Sequence, residues 1–195
     1  MIYKLSMSFL LLCFYSAYFV KQILLKKHGI STNRLAKGTK PKRTQLTETG
    51  IIAAVSVCAA VQLLSIALPE NSAVLHAPAP VRICGVLISL CGTVLFICAL
   101  TAMKDSWRAG IDETQETGIV TDGIYRFSRN PAFAGFGLIY IGTALVFPGA
   151  ASVLSASAAV ILFHLQILEE EKFLSIKFGS EYEEYKKRTA RYLFF

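Results

Sequence analysis

The sequence predicts an all-α protein, a polytopic membrane helical bundle with about five transmembrane helices. Composition is the first observation, since 54% of the 195 residues are hydrophobic and 17% are charged, against roughly 45–50% apolar in an ordinary soluble domain. The mean hydropathy of +0.51 agrees. Clustering is the second observation, because the charges collect in a few segments and leave runs close to the roughly 20 apolar residues that cross a bilayer.

Five apolar runs are predicted to be spans. They are residues 6–25, 50–68, 81–103, 131–147 and 150–168. An uncharged Pro-Gly break separates the last two runs and predicts an antiparallel helical hairpin. After residue 168, charges mix with aromatic residues at spacings of three to five, which predicts an amphipathic tail helix at the cytoplasmic interface. We interpret residues 1–195 as a single membrane domain, whose first 103 residues hold three spans.

The distribution of basic residues predicts the orientation. Seventeen of the twenty Lys and Arg residues lie in segments 26–43, 104–129 and 172–191, and basic loops stay in the cytoplasm. Five spans then place the N-terminus outside and the tail inside. Anionic lipid headgroups account for the net charge of +7 better than nucleic acid does, because the basic residues lie where helices leave the bilayer.

Small residues along the spans indicate helix packing. Cys84, Cys91 and Cys98 repeat every seven residues, which predicts one buried packing face. The five cysteines form no CxxC pair and have no histidine at ligand spacing, so no metal site is predicted. The fourth span contains three glycines, which either admit a neighbouring helix or give a ligand access to backbone. These are Gly135, Gly137 and Gly142.

A polar loop of about 28 residues precedes the fourth span and ends in Arg129-Asn130-Pro131. Loops of this length are usually functional or disordered. Asn130 and Pro131 suit the N-cap and first turn of a helix, so they predict at least helix initiation. Arg126 and Arg129 either extend to lipid headgroups or bind an anionic group.

Three adjacent carboxylates, Glu169, Glu170 and Glu171, follow the fifth span. One interpretation is a solvated helix end. Because adjacent carboxylates repel one another, the alternative is that they meet a cation, either the pair Arg126 and Arg129 or a bound sulfonium or ammonium group. His164 and Gln166 lie within the apolar run, where polar groups are functional candidates.

These two segments resemble a known pair of signatures. GIYRFSRNPAFAGFGL, followed about thirty residues later by EEEKFLSIKFGSEYEEYKKRTAR, is similar to the isoprenylcysteine carboxyl methyltransferase family, which is related to the phospholipid methyltransferases. The resemblance covers roughly residues 104–192, including Trp107. The matching positions are Gly123, Tyr125, Arg129, Pro131, Gly135, Glu170, Glu171, Leu174, Phe178, Gly179, Tyr182, Tyr185 and Arg191. The chain departs from the pattern at Asn130, where the family usually has His, and at Phe133, where it has an aromatic hydroxyl.

The resemblance implies that S-adenosyl-L-methionine binds without a Rossmann sheet, in a pocket formed by region 104–195. It implies a lipophilic or lipid-modified acceptor, with a carboxylate as the expected methylated group. The catalytic candidates are Arg129, Glu170 and Glu171. The cofactor-binding candidates are Tyr125, Asn130, Pro131, Gly135, Glu170 and Tyr185. An amine acceptor would also need a base, for which Glu170, Glu171 or His164 is available.

Two other classes stay open from the sequence. Membrane reductases of the sterol type have a similar C-terminal architecture and would use a nicotinamide cofactor. A non-catalytic membrane scaffold is the third class, and Asn130 in place of the usual histidine favours it, because an amide cannot titrate.

Overall fold

The computed structural model of the chain describes residues 1–68, 77–110 and 118–193. Its regular structure in these ranges is helical, which confirms the predicted all-α class. The helices are α1 (Ile2–Lys27), α2 (Lys42–Ala67), α3 (Ala79–Met103), α4 (Pro131–Val146), α5 (Ala150–Phe178) and α6 (Ser180–Arg188). Two 3₁₀ turns, Lys104–Ser106 and Gly123–Arg126, lie in the loop between α3 and α4.

Four helices are long and apolar enough to cross a membrane: α1, α2, α3 with its 3₁₀ extension, and α5. Helix α4 is apolar but has 16 residues, so it extends about 24 Å, less than the hydrocarbon thickness of about 30 Å. Large hydrophobic side chains cover the outside of the bundle, for example Phe9 and Leu12 at 65% and 67% exposure. The chain is therefore an integral, multi-pass membrane protein.

The helices alternate in direction, and this brings the basic segments to one end of the bundle. Backbone hydrogen bonds show that these segments meet. Arg34 N donates to Ala109 O at 2.9 Å, and Arg129 N donates to Ala190 O at 2.9 Å. These bonds join residues from all three basic segments. Their shared location agrees with the grouping that the sequence predicted.

Helices α3 and α4 approach each other backbone to backbone. An added Cβ at Gly92 would lie 2.8 Å from the carbonyl oxygen of Gly135, and one at Gly85 would lie 2.7 Å from that of Gly142. The expectation that the heptad cysteines form the packing face is wrong, because Cys84, Cys91 and Cys98 are exposed. The adjacent glycines pack instead, since the absence of a side chain permits a closer approach of two backbones than a thiol does.

The sequence placed the three glutamates directly after the fifth span, and the structure shows that the helix extends past them. Helix α5 has 29 residues in all and ends at Phe178. The chain then turns at Gly179, whose φ of +54° favours glycine. The short α6 then folds back with Tyr182 and Tyr185 buried. Consequently the three glutamates lie inside a continuous helix and not at its end, so each carboxylate points in a different direction.

We expect Gly142→Ala to destabilise the bundle. The new Cβ would lie 2.5 Å from Gly85 O and 2.9 Å from Ser89 N, and overpacking of this kind costs about 1–3 kcal/mol. Gly137→Ala is the matched control, because its Cβ would meet Val160 Cγ2 at 3.7 Å. Thermal unfolding of the detergent-purified variants measures both, and equal melting temperatures would contradict the close α3–α4 contact.

Candidate active site

A cavity of about 180 Å³ opens at the basic end of the bundle. It lies between the loop after α3, the last turns of α5 and helix α6. Gly110 and Gly118, on either side of stretch 111–117, also line it; that stretch is outside the described residues. Five of the sequence candidates line this cavity. These are Tyr125, Arg129, Asn130, Glu170 and Tyr185.

Glu171 lies beside the cavity and is held by two arginines. Arg129 donates from Nε at 3.1 Å and from Nη2 at 2.9 Å to Oε1. Arg191 donates from Nε at 3.1 Å and from Nη2 at 2.9 Å to Oε2. Each guanidinium therefore binds one carboxylate oxygen through two N–H groups, in a cluster where Glu171 is 5% exposed. Arg129 and Arg191 of the protein itself therefore supply positive charge beside the glutamates.

Arg129 also ties the C-terminal tail to this cluster. Its Nη1 donates to Lys186 O at 3.2 Å and to the carbonyl oxygen of Thr189. Planar guanidinium groups suit such multiple, fixed contacts. All three nitrogens of Arg129 thus bind groups from α5, α6 or the tail.

Asn130 occupies the N-cap position of α4, but its side chain makes no capping hydrogen bond. Its Nδ2 donates to Glu171 Oε1 at 3.3 Å and to Arg191 O at 3.2 Å. The side chain therefore joins the ion cluster, and its contribution goes beyond helix initiation. A neutral amide is adequate here because these contacts require a donor and no titration.

Glu170 points towards the cavity. Its Oε1 accepts a hydrogen bond from Gln166 Nε2 at 3.0 Å, and its Oε2 accepts none from the described residues. The neighbouring Glu169 points away and pairs with Arg43 at 3.1 Å. Three consecutive residues of one helix therefore have different environments. Glu169 forms a surface ion pair, Glu170 faces the cavity, and Glu171 belongs to the buried ion cluster.

Two buried tyrosines form a polar wall of the cavity. Tyr185 donates its hydroxyl to Tyr125 O at 2.6 Å. Burial raises the pKa of Tyr185 to about 12, against the opposing effect of Arg129. Burial also raises the pKa of Tyr125 above its usual range. Both hydroxyls are therefore neutral at physiological pH and act as hydrogen-bonding groups.

Four other residues that the sequence singled out lie away from the cavity. Pro131 is the buried first residue of α4. Gly135 packs against Gly92 and Phe96, where an added Cβ would clash. Arg126 is exposed, and exposed His164 contacts the Tyr192 hydroxyl at 2.6 Å through Nδ1.

Sequence reasoning missed Glu48 and Lys40, which come from a part of the chain without any recognised signature. Glu48 is fully buried and pairs with Lys40 Nζ at 2.7 Å, next to Gln166 and Glu170. One signal was present: Glu48 is an isolated acidic residue just before an apolar run, and a charge there requires a partner. Among the described residues, no three His, Cys, Asp or Glu are grouped so that they could hold a metal ion.

Fold and cavity together define a polytopic membrane protein with a polar site at one surface of its helical bundle. A family profile for phospholipid methyltransferases matches residues 81–181, from the start of α3 into α6. This is more than half of the chain and includes the cavity-lining part of α5. The chain belongs to the phospholipid methyltransferase family.

Relatives in several eukaryotes are similar to this chain. The protein-S-isoprenylcysteine O-methyltransferase of Schizosaccharomyces pombe is 38% identical over 36% of this chain and 30% of its own length. The Arabidopsis thaliana enzyme A is 35% identical over 41% of each chain. The Xenopus laevis enzyme is 29% identical over 54% of this chain and 38% of its own length. The chain thus matches less than half the length of these relatives.

We expect Glu171→Gln to weaken the fold. The neutral amide leaves two guanidinium groups without their counter-charge, and breaking a buried ion pair costs roughly 3–5 kcal/mol. The expected loss is about 3 kcal/mol, because the Arg191 side chain is 39% exposed and water replaces part of the interaction.

Arg43→Gln is the control for this variant, since it breaks the pair with Glu169 at a site where Arg43 is 70% exposed. Such a surface pair contributes at most about 1 kcal/mol. Thermal unfolding in detergent measures both variants. A Glu171→Gln protein as stable as Arg43→Gln would exclude a structural role for the ion cluster.

Proposed function

We propose that this protein is a membrane methyltransferase that uses S-adenosyl-L-methionine and methylates a carboxylate on a lipophilic or lipid-modified acceptor. Family membership supports methyl transfer, and the names of the relatives specify O-methylation of isoprenylcysteine. The observation on which the proposal chiefly depends is the carboxyl group of Glu170, which faces a cavity at the basic end of the bundle. Within the single membrane domain, region 104–195 would supply the cofactor site.

The residues at the cavity fit this donor. Glu170 Oε2, which no described residue hydrogen bonds, suits the donor's ammonium group or ribose hydroxyls. Phe173 and Leu174 line the cavity beside it and offer apolar contact to an adenine ring. Tyr185 and Asn130 provide polar groups at the same wall. Side chains of a helical bundle would thus supply the binding groups, as expected without a Rossmann sheet.

S-adenosyl-L-methionine supplies a methyl group that is already activated by the sulfonium, so the protein's task is to position two substrates and exclude water. In our proposal Glu170 binds the donor. Arg129 lines the cavity and adds positive charge that favours an anionic acceptor. Its hydrogen bonds to Glu171 hold the loop and the tail in place, which makes Glu171 a positioning residue.

A carboxylate acceptor is favoured over an amine. An ionised carboxylate has a free lone pair and requires no general base, whereas an ammonium must first lose a proton. Of the three candidate bases for an amine, His164 contacts Tyr192 and is not among the cavity-lining residues, and Glu171 is bound by two arginines. Glu170 lines the cavity, and in our proposal it binds the donor. Asn130 in place of the usual histidine is compatible with a reaction that needs no proton acceptor at this position.

We further propose that the cavity faces the cytoplasm and that the N-terminus lies outside. The three basic segments at the cavity end of the bundle support this orientation, because basic loops are retained on the cytoplasmic side. Anionic headgroups at that surface would add to the attraction. An acceptor with a hydrophobic tail would then reach the site from the lipid.

Calorimetric titration of the detergent-purified protein with S-adenosylhomocysteine tests the donor site. We expect saturable binding to wild type and at least about tenfold weaker binding to Glu170→Gln, because a charge-assisted contact is lost. Glu169→Gln is the matched control, since Glu169 lies on the same helix but pairs with Arg43, and its affinity should equal that of wild type.

Reduced nicotinamide dinucleotide phosphate is titrated in parallel. Binding of the dinucleotide alone would replace the proposal with a reductase. Well-folded protein that binds neither compound would support a non-catalytic scaffold. Unchanged affinity in Glu170→Gln would remove this carboxylate from the donor site.

Topology has an independent test. A reporter fused after Phe195 should be cytoplasmic, and a reporter fused before Met1 should be on the outer side. The physical reason is the concentration of Lys and Arg at the cavity end of the bundle. Protease protection of sealed vesicles measures both fusions, and an external C-terminal reporter would reverse the proposed orientation.

A further inference from the structure

A buried polar cluster connects the loop after α1 with the candidate active site. We name it the Lys40–Glu48 cluster, and it consists of Lys40, Glu48 and Gln166. Lys40 Nζ lies 2.7 Å from Glu48 Oε2 and 2.9 Å from Oε1. The backbone N–H of Ala36 donates to Oε2 at 2.7 Å. Glu48 is therefore fixed in place by the loop that precedes α2.

Gln166 transmits this constraint to the cavity. It is fully buried, and its Nε2 lies 3.3 Å from Glu48 Oε1 and 3.0 Å from Glu170 Oε1. An amide NH₂ group has two donors, so one amide group connects two carboxylates from different helices. Its Oε1 has no hydrogen-bond partner among the described residues, which means that the two carboxylates set the orientation of the amide.

The wall of the cavity meets the same cluster. Gly110 lines the cavity with a φ of +90°, and an added Cβ would lie 2.9 Å from Leu35 N and 3.1 Å from Glu48 Oε1. Ala109 beside it accepts a hydrogen bond from Arg34 N at 2.9 Å. The loop after α1 thus packs directly on the loop that borders the site.

We propose that Glu48 is a positioning residue for the methyl-donor site. Lys40 and the backbone of Ala36 hold Glu48, Glu48 orients Gln166, and Gln166 holds the carboxylate of Glu170 in the cavity. The N-terminal half of the chain, which carries none of the signature residues, therefore takes part in donor binding. This inference rests on the proposed function, because it assigns a purpose to the position of Glu170.

A double-mutant cycle tests the connection. The cluster variant combines Lys40→Met with Glu48→Leu, since replacing a buried ion pair by apolar residues of similar volume is often neutral for folding. We expect it to weaken S-adenosylhomocysteine binding about tenfold in the wild-type background and less than about twofold in the Glu170→Gln background. The cluster variant and Glu170→Gln should be non-additive, because both act on the contact between Glu170 and the ligand.

Turnover by the cluster variant provides a second readout. A rise in the KM for the donor without a matching fall in kcat is not expected if Glu48 only stabilises the fold. With an isoprenylated cysteine analogue as the acceptor, the KM for S-adenosyl-L-methionine should rise about tenfold while kcat at saturating donor changes less than about twofold. Glu169→Gln, outside the cluster, should leave both constants unchanged.

Each outcome decides the inference. Equal losses of affinity in the two backgrounds would overturn it, as would an unchanged affinity in the cluster variant. If the cluster variant does not fold, Gln166→Leu replaces it in the same cycle, because that change removes the amide and leaves Lys40 paired with Glu48. Wild-type protein that fails to bind S-adenosylhomocysteine would instead overturn the proposed function itself.

Discussion

The ion cluster around Glu171 is the contact on which the cavity depends. Its two arginines come from the loop before α4 and from the C-terminal tail, while the carboxylate comes from α5. Three segments that are far apart in the chain are thereby joined at one point. Buried charges are costly without partners, so the carboxylate of Glu171 needs its arginines. The cluster in turn fixes where Arg129 and Asn130 meet the cavity.

Helix packing places the partners of this cluster at the same end of the bundle. In a membrane the apolar surface gives little driving force for helix association, so close backbone approach contributes much of the packing energy. Gly85 and Gly92 give α3 that approach to α4. The start of α4, with Asn130 and Pro131, is thus held near the end of α3 and beside α5.

Consecutive glutamates illustrate how a helix separates similar residues. Successive side chains on a helix point in directions about 100° apart, which follows from 3.6 residues per turn. Glu169 therefore reaches Arg43 at the surface, Glu170 faces the cavity, and Glu171 enters the ion cluster. One carboxylate is available to bind a ligand because its neighbours are occupied, and our functional proposal follows from this division.

The sequence by itself determined the all-α membrane class, the grouping of basic segments and the resemblance to methyltransferases, because hydropathy, charge and short motifs are local properties. It also named five of the residues that line the cavity, among them Tyr125, Arg129, Asn130 and Glu170. Tertiary structure decided which carboxylate faces the cavity, and it decided that glycines and not the heptad cysteines form the α3–α4 contact. It also recruited Glu48, since a contact between residues 48 and 166 depends on how distant helices pack, and the pattern within either segment does not encode it.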